Sequence, residues 1–353
     1  MPAGVPSTNS LHYRQRGVGS MANVECAELE FGYADAPTAL HSADILEREN
    51  EFLAQMTCKP LMTIFHHADR QLHYLERGRG QPVLLIHGLG SSGADWAMQV
   101  RALESRFRVI VPDLPGCGYS SAHRDACSIE NFAASLWALL DHLEIATTNI
   151  VGFSLGGAVA LEMALQRPDS VPRLGLINSL TSYRLDTLNK WLEAWIPSLL
   201  IHVFGMKVLG WLCAARLFPQ PWQRSLRHRA AAVIGATDAL SYLDIIGALV
   251  RWTAVDRLAQ LRSRVLVLAA EHDLTPLAQK HELASELGAA IVVVRGSRHG
   301  TPFDAAEATN TCIFALLSDQ PFPPSDRVAC DEPQPTQALE FVGSLAEQHA
   351  LGP

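Results

Sequence analysis

Residues 149–153, NIVGF, lead directly into Ser154 and then into LGGAVALEMALQ at 155–166. The first run has the apolar character of a buried strand, and the second has that of a helix. Between them, Gly152, Ser154 and Gly156 match G-x-S-x-G, a turn so tight that it needs small residues beside the serine. The pattern also arises by chance in Gly-rich turns. With this strand and helix around it, the stretch predicts an α/β sheet that presents Ser154 as a nucleophile.

Other short apolar runs on both sides of this stretch predict further strands, at 82–87, 107–112, 174–178, 264–270 and 290–294. Continuous apolar strands are typical of a parallel sheet that is buried on both faces. Helical patterns lie between them, as in 128–143, where apolar residues recur every three or four positions. The alternation predicts a mostly parallel, doubly wound sheet. Two weaker strands, at 62–66 and 71–75, are predicted to form an antiparallel start.

About 80 residues, 181–261, separate the predicted strands at 174–178 and 264–270. This is far longer than a normal crossover connection. We call the segment the cap and predict a helical insertion over one end of the sheet. Its Trp side chains either contact a hydrophobic substrate or pack the cap helices together, and the sequence weights the two equally. The cap holds five of the seven Trp of the chain: Trp191, Trp195, Trp211, Trp222 and Trp252.

The longest apolar stretch, 195–218, lies inside the cap and is long enough to be tested as a bilayer span. Pro197, His202, Lys207 and Arg216 interrupt it. A charge at membrane depth costs about 2.5–3.5 kcal/mol on insertion scales. We therefore predict no integral membrane span and favour buried or substrate-facing helices, with contact to a membrane surface as the weaker interpretation.

The predicted domain organisation places one α/β core around the cap. A stretch at 42–56 can form an amphipathic helix for packing or assembly. The last part is rich in Pro and acidic residues and is expected to be solvated, with a short helix at 338–348. The predicted segments are an N-terminal extension at 1–58, the core at 59–180 and 262–317, the cap at 181–261 and the Pro-rich acidic tail at 318–353.

Composition excludes several functional classes. The 353 residues include 28 Lys and Arg against 36 Asp and Glu, a formal charge of -8, so nucleic acid is not an expected partner. The seven Cys form no C-x-x-C pair, which favours reduced thiols over a disulfide or zinc framework. The first residues show no secretory signal pattern, which makes a cytoplasmic location the expectation.

Candidate partners for Ser154 follow the last two predicted strands. A serine hydroxyl needs a base within hydrogen-bond reach, and the base needs an orienting acid. Asp273 and His299 follow these strands, and the order serine, acid, histidine matches that of a catalytic triad on this type of sheet. Glu271 is the alternative acid, and Asp273 is preferred because it lies deeper in the loop. We expect His272 to face solvent.

An oxyanion in acyl transfer needs backbone N–H donors. The amide of Leu155, directly after the nucleophile, is one candidate. The second is the amide of Leu89, in the loop HGLGSSG at 87–93 that follows an early strand. A phosphate-binding loop is the competing interpretation of these glycines, but neither of the usual Gly-rich phosphate patterns is present.

Five features together resemble the serine α/β-hydrolase superfamily: HGLG at 87–90, DLPGCGYS at 113–120, GFSLGG at 152–157, the Asp273 loop and the His299 loop. Within it, the chain is most similar to the branch of capped carboxylesterases and carbon-carbon bond hydrolases. The resemblance implies an α/β-hydrolase fold with a helical cap insertion. It covers residues 61–317, so the N-terminal extension and the tail depart from the family pattern.

The resemblance also assigns residue roles. Asp113 stands in a segment that forms a structural turn in the family, which implies that it is not catalytic. Haloalkane dehalogenases and epoxide hydrolases are similar elsewhere but carry Asp at the position of Ser154. The implied chemistry is therefore hydrolysis of an ester, thioester, lactone, amide or carbon-carbon bond, or acyl transfer, by a serine nucleophile.

The leading hypothesis is a serine hydrolase that cleaves an ester, thioester or lactone of a hydrophobic small molecule. Ser154 attacks, His299 moves the proton, Asp273 orients His299, and the amides of Leu89 and Leu155 hold the oxyanion. No metal or organic cofactor is expected, and a homo-oligomer remains open.

Two alternatives remain. The first is a carbon-carbon bond hydrolase of a vinylogous diketone, in which Arg251 or Arg257 would contact a substrate carboxylate. The second is a ligand-binding protein that keeps the fold without turnover.

Overall fold

A computed structural model describes residues 62–67, 70–122, 127–184 and 188–330, with the side chains of 188–195 excepted. The helices predicted at 42–56 and 338–348 lie outside the described residues, as does the whole predicted N-terminal extension.

The described residues form one eight-stranded sheet. Its strands are β1 (Thr63–His67), β2 (Arg70–Arg77), β3 (Gln81–Ile86), β4 (Phe107–Pro112), β5 (Asn149–Phe153), β6 (Arg173–Ile177), β7 (Arg264–His272) and β8 (Ala290–Arg298). Their order across the sheet is β1-β2-β4-β3-β5-β6-β7-β8. All neighbours from β4 to β8 pair in parallel, whereas β1 with β2 and β2 with β4 pair antiparallel. The predicted mostly parallel sheet with an antiparallel start is therefore confirmed.

The last two strands continue beyond their predicted ends at residues 270 and 294. His272 pairs with Arg298 after a register shift between Ala270 and His272. The added residues are mostly polar or Gly, so the apolar signal that marks a buried strand stops before the backbone pairing does. These extensions carry β7 and β8 toward the loops that hold Asp273 and His299.

Nine α-helices surround or extend the sheet in the described residues. They are α1 (Ala97–Leu103), α2 (Ile129–His142), α3 (Leu155–Gln166), α4 (Leu188–Leu217), α5 (Arg224–Ala236), α6 (Ala239–Arg251), α7 (Leu277–Glu286), α8 (Thr301–Asp304) and α9 (Ala306–Leu317). Helices α2, α3 and α7 contribute to an apolar core on one face of the sheet, and α1 and α9 contribute to the core on the other. Both faces of the sheet are therefore covered, as a doubly wound fold requires.

Helices α4, α5 and α6 occupy the connection between β6 and β7 and form the described part of the cap. Helix α4 is broken at Gly205, whose φ of 78° and ψ of 172° are not helical. Its second half packs closely on α5, since a Cβ added at Gly210 would lie 2.7 Å from the carbonyl oxygen of Ala231. Glycine therefore permits the two backbones to approach. The boundaries 181 and 261 of the cap as a domain stay a prediction.

The end of the cap is attached to the core through Glu162, a buried residue of α3. Arg257, in a 3-10 helix after α6, pairs with the Glu162 carboxylate at 2.7 Å, and the Trp252 indole N–H donates to it at 2.9 Å. Burial alone would raise the pKa of Glu162, but the hydrogen bonds from Arg257 and Trp252 hold it below its ordinary value. The carboxylate therefore stays charged and links cap to core.

The first part of the tail, 318–330, packs against the core. The Arg295 amide donates to the Val328 carbonyl oxygen at 3.0 Å, and the Val328 side chain is buried. Asp319 forms ion pairs with Arg173 and Arg264. This part of the tail is therefore docked on the core through a few apolar residues, while most of its residues stay exposed to solvent as predicted. Residues 331–353 lie outside the described residues.

Candidate active site

Ser154 stands at the junction of β5 and α3 in a strained backbone conformation, with φ 54° and ψ −116°. The neighbouring glycines make room for it. A Cβ at Gly152 would lie 2.2 Å from the Gly156 carbonyl oxygen, and one at Gly156 would lie 2.1 Å from that of Ile86. No larger residue fits at either position, so the sequence pattern reports a real steric requirement.

The structure brings Ser154, His299 and Asp273 together in one hydrogen-bonded chain. His299 Nε2 is 2.9 Å from Ser154 Oγ, and His299 Nδ1 is 2.5 Å from Asp273 Oδ1. The three residues lie at or just beyond the carboxyl ends of β5, β8 and β7, although they are far apart along the chain. This geometry places a base beside a hydroxyl nucleophile and an acid behind the base.

The alternative acid, Glu271, points elsewhere. Its carboxylate accepts a hydrogen bond from the Gly296 amide at 2.8 Å, and its side chain is 43% exposed. His272 is exposed as well, as expected. Asp273 is therefore the carboxylate that meets His299.

The Asp273 side chain is fully buried and contacts the ammonium group of Lys280 as well as the imidazole of His299. Lys280 Nζ lies 2.5 Å from Asp273 Oδ2, and the Thr275 hydroxyl donates to the same oxygen at 2.7 Å. Burial would raise the pKa of Asp273, but the hydrogen bond from His299 and the charge of Lys280 hold it well below its ordinary value. The acid thus stays ionised and ready to orient the imidazole.

Lys280 was missed at the sequence level. It lies on α7 and is itself completely buried, so its pKa is lowered by burial even though Asp273 opposes the shift. A signal was present, because Lys280 shares the buried side of α7 with Leu283 and Ala284, at spacings of three and four residues. A lysine on the apolar stripe of a helix implies a buried carboxylate partner.

Asn178, which directly follows β6, is a second residue that was missed at the sequence level. Its side-chain NH2 group donates to the carbonyl oxygen of His299 at 2.8 Å and to the Thr301 hydroxyl at 2.7 Å. Its Oδ1 accepts from the Ala270 amide at 2.7 Å. Asn178 therefore ties the loop of His299 to β6 and β7 and fixes where the imidazole stands.

The two residues predicted to supply oxyanion donors also come to Ser154. Leu155 is the first residue of α3, and Leu89 lines a cleft together with Ser154 and His299. The loop of Leu89 is held by buried His87, whose Nε2 accepts from the Leu114 amide at 3.0 Å. Burial lowers the pKa of His87, which favours the neutral imidazole that this hydrogen bond needs. The role of the two leucine amides stays a prediction.

Asp113 has the turn role that the family resemblance implied. Its carboxylate accepts hydrogen bonds from the Gly93 amide at 2.7 Å and from the Tyr119 amide at 2.8 Å. Both oxygens are thus used within the loops beside the cleft. Asp113 does not contact the Ser154, His299 and Asp273 chain through any described hydrogen bond.

A cleft lies above Ser154 and His299, partly open to solvent, and core and cap both contribute to its walls. The Arg229–Asp95 ion pair is its main charged feature. Apolar side chains form most of the rest: Leu89, Phe153 and Phe303 from the core, and Leu217, Phe218, Leu226, Val233 and Ile234 from the cap. The arrangement can hold an apolar molecule against the serine hydroxyl.

Residues 81–304 match the family model described as alpha/beta hydrolase fold. This chain belongs to the alpha/beta hydrolase fold family. The predicted superfamily and fold are therefore confirmed.

Relatives of this hydrolase differ in how much of the chain they match. The magnesium-chelatase 30 kDa subunit of Rhodobacter capsulatus is 45% identical over 101 residues, which is 28% of this chain and only 35% of that protein. A putative carbamate hydrolase RutD of Stutzerimonas stutzeri is 28% identical and covers 70% of this chain and 97% of the relative. The crystal structure of the enol-lactonase from Burkholderia xenovorans LB400 is 26% identical, with a TM-score of 0.66, and covers 72% of this chain and all of that one.

One ion pair in the cleft of the hydrolase was not predicted. Arg229 of α5 contacts Asp95 at 2.6 Å, both side chains are almost buried, and the Ser91 hydroxyl donates to Asp95 at 2.5 Å. The pair connects the cap to the loop after β3. Because Asp95 neutralises Arg229, the cleft is poorly suited to attract an anion through charge.

The arginines expected to meet a substrate carboxylate do not line the cleft. Arg257 is paired with Glu162, and Arg251 contacts the carbonyl oxygen of Cys127. Neither residue is among the described lining of the cleft. The sequence hypothesis for these two residues is therefore wrong, since each has a partner elsewhere.

The cap Trp residues do not form the cleft wall either. Trp252 is buried beside Glu162, whereas Trp211 and Trp222 are 62% and 41% exposed. None of these three lines the cleft, and the side chains of Trp191 and Trp195 lie outside the described ones. The described Trp side chains are therefore not placed to contact a substrate in this cleft.

Proposed function

We propose that this hydrolase cleaves an ester, thioester or lactone of a hydrophobic small molecule through an acyl-enzyme on Ser154. The observation that carries the proposal is the chain of hydrogen bonds from Ser154 through His299 to Asp273, which opens onto an apolar cleft. A base at 2.9 Å from a serine hydroxyl is the arrangement that activates this weak nucleophile.

Acylation begins when His299 Nε2 takes the proton of Ser154 Oγ while that oxygen attacks the carbonyl carbon. The resulting oxyanion is held by the amides of Leu155 and Leu89. When the tetrahedral intermediate collapses, the bond to the leaving group breaks and His299 gives the proton to it. Asp273 keeps His299 in the tautomer with a proton on Nδ1 and stabilises the imidazolium.

Deacylation repeats these steps with water. His299 removes a proton from a water molecule, whose oxygen attacks the acyl carbon, and the proton then passes to Ser154 Oγ as the acid leaves. No step needs a metal or an organic cofactor. Among the described residues, no group of three or more His, Cys, Asp or Glu side chains is placed to hold a metal ion.

The cleft supports an apolar acyl or alcohol group, because its walls are mostly Leu, Ile, Val and Phe side chains. The match to an enol-lactonase, which covers all of that protein and 72% of this chain, supports chemistry on an ester-type carbonyl. The RutD match supports hydrolysis of a carbonyl compound more broadly. We place the enzyme in the cytoplasm and expect a small-molecule substrate, not a nucleic acid.

The test is hydrolysis of p-nitrophenyl esters of increasing acyl length, followed with wild type, Ser154→Ala and the control Ser285→Ala, which changes an exposed serine on α7. We expect kcat/KM to rise with chain length until the cleft is filled. Ser154→Ala should lose at least about 10⁴-fold, and the control should retain full activity. Full activity in Ser154→Ala would refute the assignment.

A fluorophosphonate probe separates catalysis from mere binding. The probe should label wild type at Ser154 and leave folded Ser154→Ala unlabelled, because the reaction requires an activated hydroxyl. A folded wild-type protein without labelling or ester turnover would support the ligand-binding alternative. Cleavage of a vinylogous diketone without ester turnover would support the carbon-carbon bond hydrolase, which the structure no longer favours through Arg251 or Arg257.

A further inference from the structure

The cap carries most of the large apolar side chains that are exposed in the described part of the chain. Leu199, Val203, Phe204 and Trp211 are each about 60% exposed. We call the whole set the cap face. It consists of Ile196, Leu199, Val203, Phe204, Val208, Trp211, Leu212 and Trp222, eight of the thirteen large apolar side chains that are exposed in the described part of the chain. Exposed apolar surface of this kind marks an interaction site.

The spacing of these residues is that of helix faces. Positions 196, 199 and 203 follow one another at three and four residues, and 211 and 212 lie three and four residues after 208. The break at Gly205 separates the two groups. Gly205 itself has open space where a Cβ would stand, with no atom within 4 Å. The break turns one long apolar helix into two short ones, each of which carries exposed apolar side chains.

Residues 196–217 are apolar enough to be considered as a membrane span, with a mean hydropathy of 1.6. The break at Gly205 argues against a span, because each half is too short. Residues 196–204 and 206–217 form helices of about 14 and 18 Å at 1.5 Å per residue, against about 30 Å of hydrocarbon. Two short apolar helix faces are better suited to lie in a membrane surface.

Charge around the cap face supports one kind of partner. The stretch 194–237 contains five Lys and Arg and no Asp or Glu, in a chain whose formal charge is -8. Lys207, Arg216 and Arg224 are exposed, and none of them forms an ion pair with a described residue. Exposed cations beside exposed Trp and Phe are complementary to anionic lipid headgroups above an apolar layer.

We propose that the cap face docks the enzyme on the surface of an anionic lipid membrane. The apolar side chains enter the boundary between headgroups and acyl chains, with Trp211 and Trp222 at the level that aromatic rings prefer. Lys207 lies four residues before Trp211 on the same helix, and its long stem lets the ammonium group reach a phosphate while the face is immersed. The enzyme lies on the membrane and does not cross it.

A second copy of the chain is a poorer occupant of the cap face. A two-fold symmetric dimer brings the same patch of both subunits together. Lys207 and Arg216 would then meet their own counterparts without any acidic residue from the same stretch between them. Lipid phosphates supply the opposite charge that a second copy lacks.

One consequence for activity rests on the proposed function of the Ser154 site. Other sides of the same helices line the cleft, through Leu217 at the end of α4 and Leu226 and Val233 on α5. A docked cap would hold the cleft beside the acyl layer, where apolar esters concentrate. Membrane-dissolved esters would then be preferred over equally reactive water-soluble ones.

The test is flotation of the full chain with vesicles of phosphatidylcholine, with and without phosphatidylglycerol. We expect wild type to float with the anionic vesicles, to bind neutral vesicles at least about fivefold more weakly, and to be partly released by high salt. Binding is measured without turnover. An inactive protein that floats would thus fail only the proposed function, and an active protein that does not float would fail only this proposal.

Two variants separate the contribution of the apolar cap face from the contribution of the positive charge of Lys207. Replacing Leu199, Val203 and Trp211 together by Ser should weaken vesicle binding at least about tenfold, and Lys207→Gln should weaken it about fivefold on anionic vesicles only. The matched controls are Ile64→Ser on β1 and Arg79→Gln before β3, an exposed apolar residue and an exposed cation away from the cap. Both controls should bind like wild type. Equal circular dichroism and thermal unfolding establish that all variants are folded.

Three outcomes would overturn the proposal. The first is that wild type floats with neither kind of vesicle, and the second is that the triple variant binds as tightly as wild type. The third is that wild type sediments as a dimer that the triple variant dissociates. That last result would assign the cap face to a second copy of the chain.

Discussion

Helices α3 and α4 are both rich in apolar residues but use them in opposite ways. Every residue of α3 from Leu155 to Leu165 is buried, and only Gln166 at its end is exposed. On α4, by contrast, Leu199, Val203 and Trp211 are about 60% exposed. The apolar residues of α3 hold the nucleophile turn in place through core packing. Those of α4 contribute little to folding at their exposed positions and are better explained by an interaction.

The largest expected effect belongs to Asp273→Asn, which changes the hydrogen-bonded chain of Ser154, His299 and Asp273 in the core. The amide cannot orient and stabilise the imidazolium of His299 as the carboxylate does, and it leaves Lys280 without its charge partner. We expect kcat/KM for p-nitrophenyl esters to fall about 10⁴-fold, with KM changed far less. Asp113→Asn, in the neighbouring turn, should disturb stability more than the rate of the folded enzyme. A loss below tenfold in Asp273→Asn would show that another acid serves His299.

A matched pair of Leu→Ala variants compares the two helices directly. Leu161→Ala on α3 should lower the free energy of unfolding by about 3 kcal/mol, because it leaves a cavity in the core. Leu199→Ala on α4 removes the same atoms from an exposed site and should change it by less than about 0.5 kcal/mol. Urea unfolding of both variants gives the two numbers. Equal losses would mean that the cap face is covered in the folded protein.

The junction between cap and core is tested with Glu162→Gln. The variant leaves the Arg257 guanidinium without a charged partner, and since Arg257 is one third exposed we expect a loss of about 1–2 kcal/mol at neutral pH. The folded-state pKa of Glu162 is below its ordinary value, so its contribution is present above about pH 4.3 and is lost as pH falls through the folded pKa. The stability gap between wild type and variant should therefore narrow in acid. A gap that widens in acid would contradict the assigned ion pair.

The smallest expected effect on the rate belongs to Lys280→Met, which keeps the volume of the side-chain stem. Asp273 retains its contacts with His299, Leu274 and Thr275 but loses its ion pair with Lys280. We expect kcat/KM to fall about tenfold through looser positioning. Stability should fall as well, because the Asp273 carboxylate stays buried and loses its ion-pair partner.

The control for Lys280→Met is Glu282→Gln, which changes an exposed residue on the same helix. It should leave both kcat/KM and the free energy of unfolding as they are in wild type. A wild-type rate in Lys280→Met would show that Asp273 is positioned without the lysine.

The meeting of Ser154, His299 and Asp273 could be predicted because each residue follows a strong strand signal. Parallel strands bring their carboxyl ends to one edge, so the order of strands places Ser154, Asp273 and His299 together. The same rule brings Asn178, which follows β6, to this edge but does not assign it a role, and it does not reach Arg229 on a cap helix. Asn178 contacts His299 across 121 positions of sequence, and Arg229 contacts Asp95 across 134. Such pairs have no local pattern, and only the folded chain identifies them.

The surroundings of the apolar cap side chains could not be predicted, for a different reason. Its composition predicted apolar helices correctly, but an apolar residue is compatible with a core, a cleft wall or an outer surface. Trp252 and Trp211 illustrate this, since one is buried beside Glu162 and the other is 62% exposed. Periodicity indicates that a helix has an apolar side. It does not indicate whether that side packs in a core, lines a cleft or lies on the surface.

The docked tail has a consequence for the behaviour of the protein at high concentration. Strand β8 is the last of the sheet, and its outer amides would be free to pair with a strand of another molecule. The tail occupies them, because Val293 donates to Ser325 Oγ, Arg295 donates to Val328, and Cys330 donates back to Arg295. Residues 318–330 thus block the pairing of β8 with a strand of another molecule. A chain shortened before Asp319 is therefore expected to aggregate.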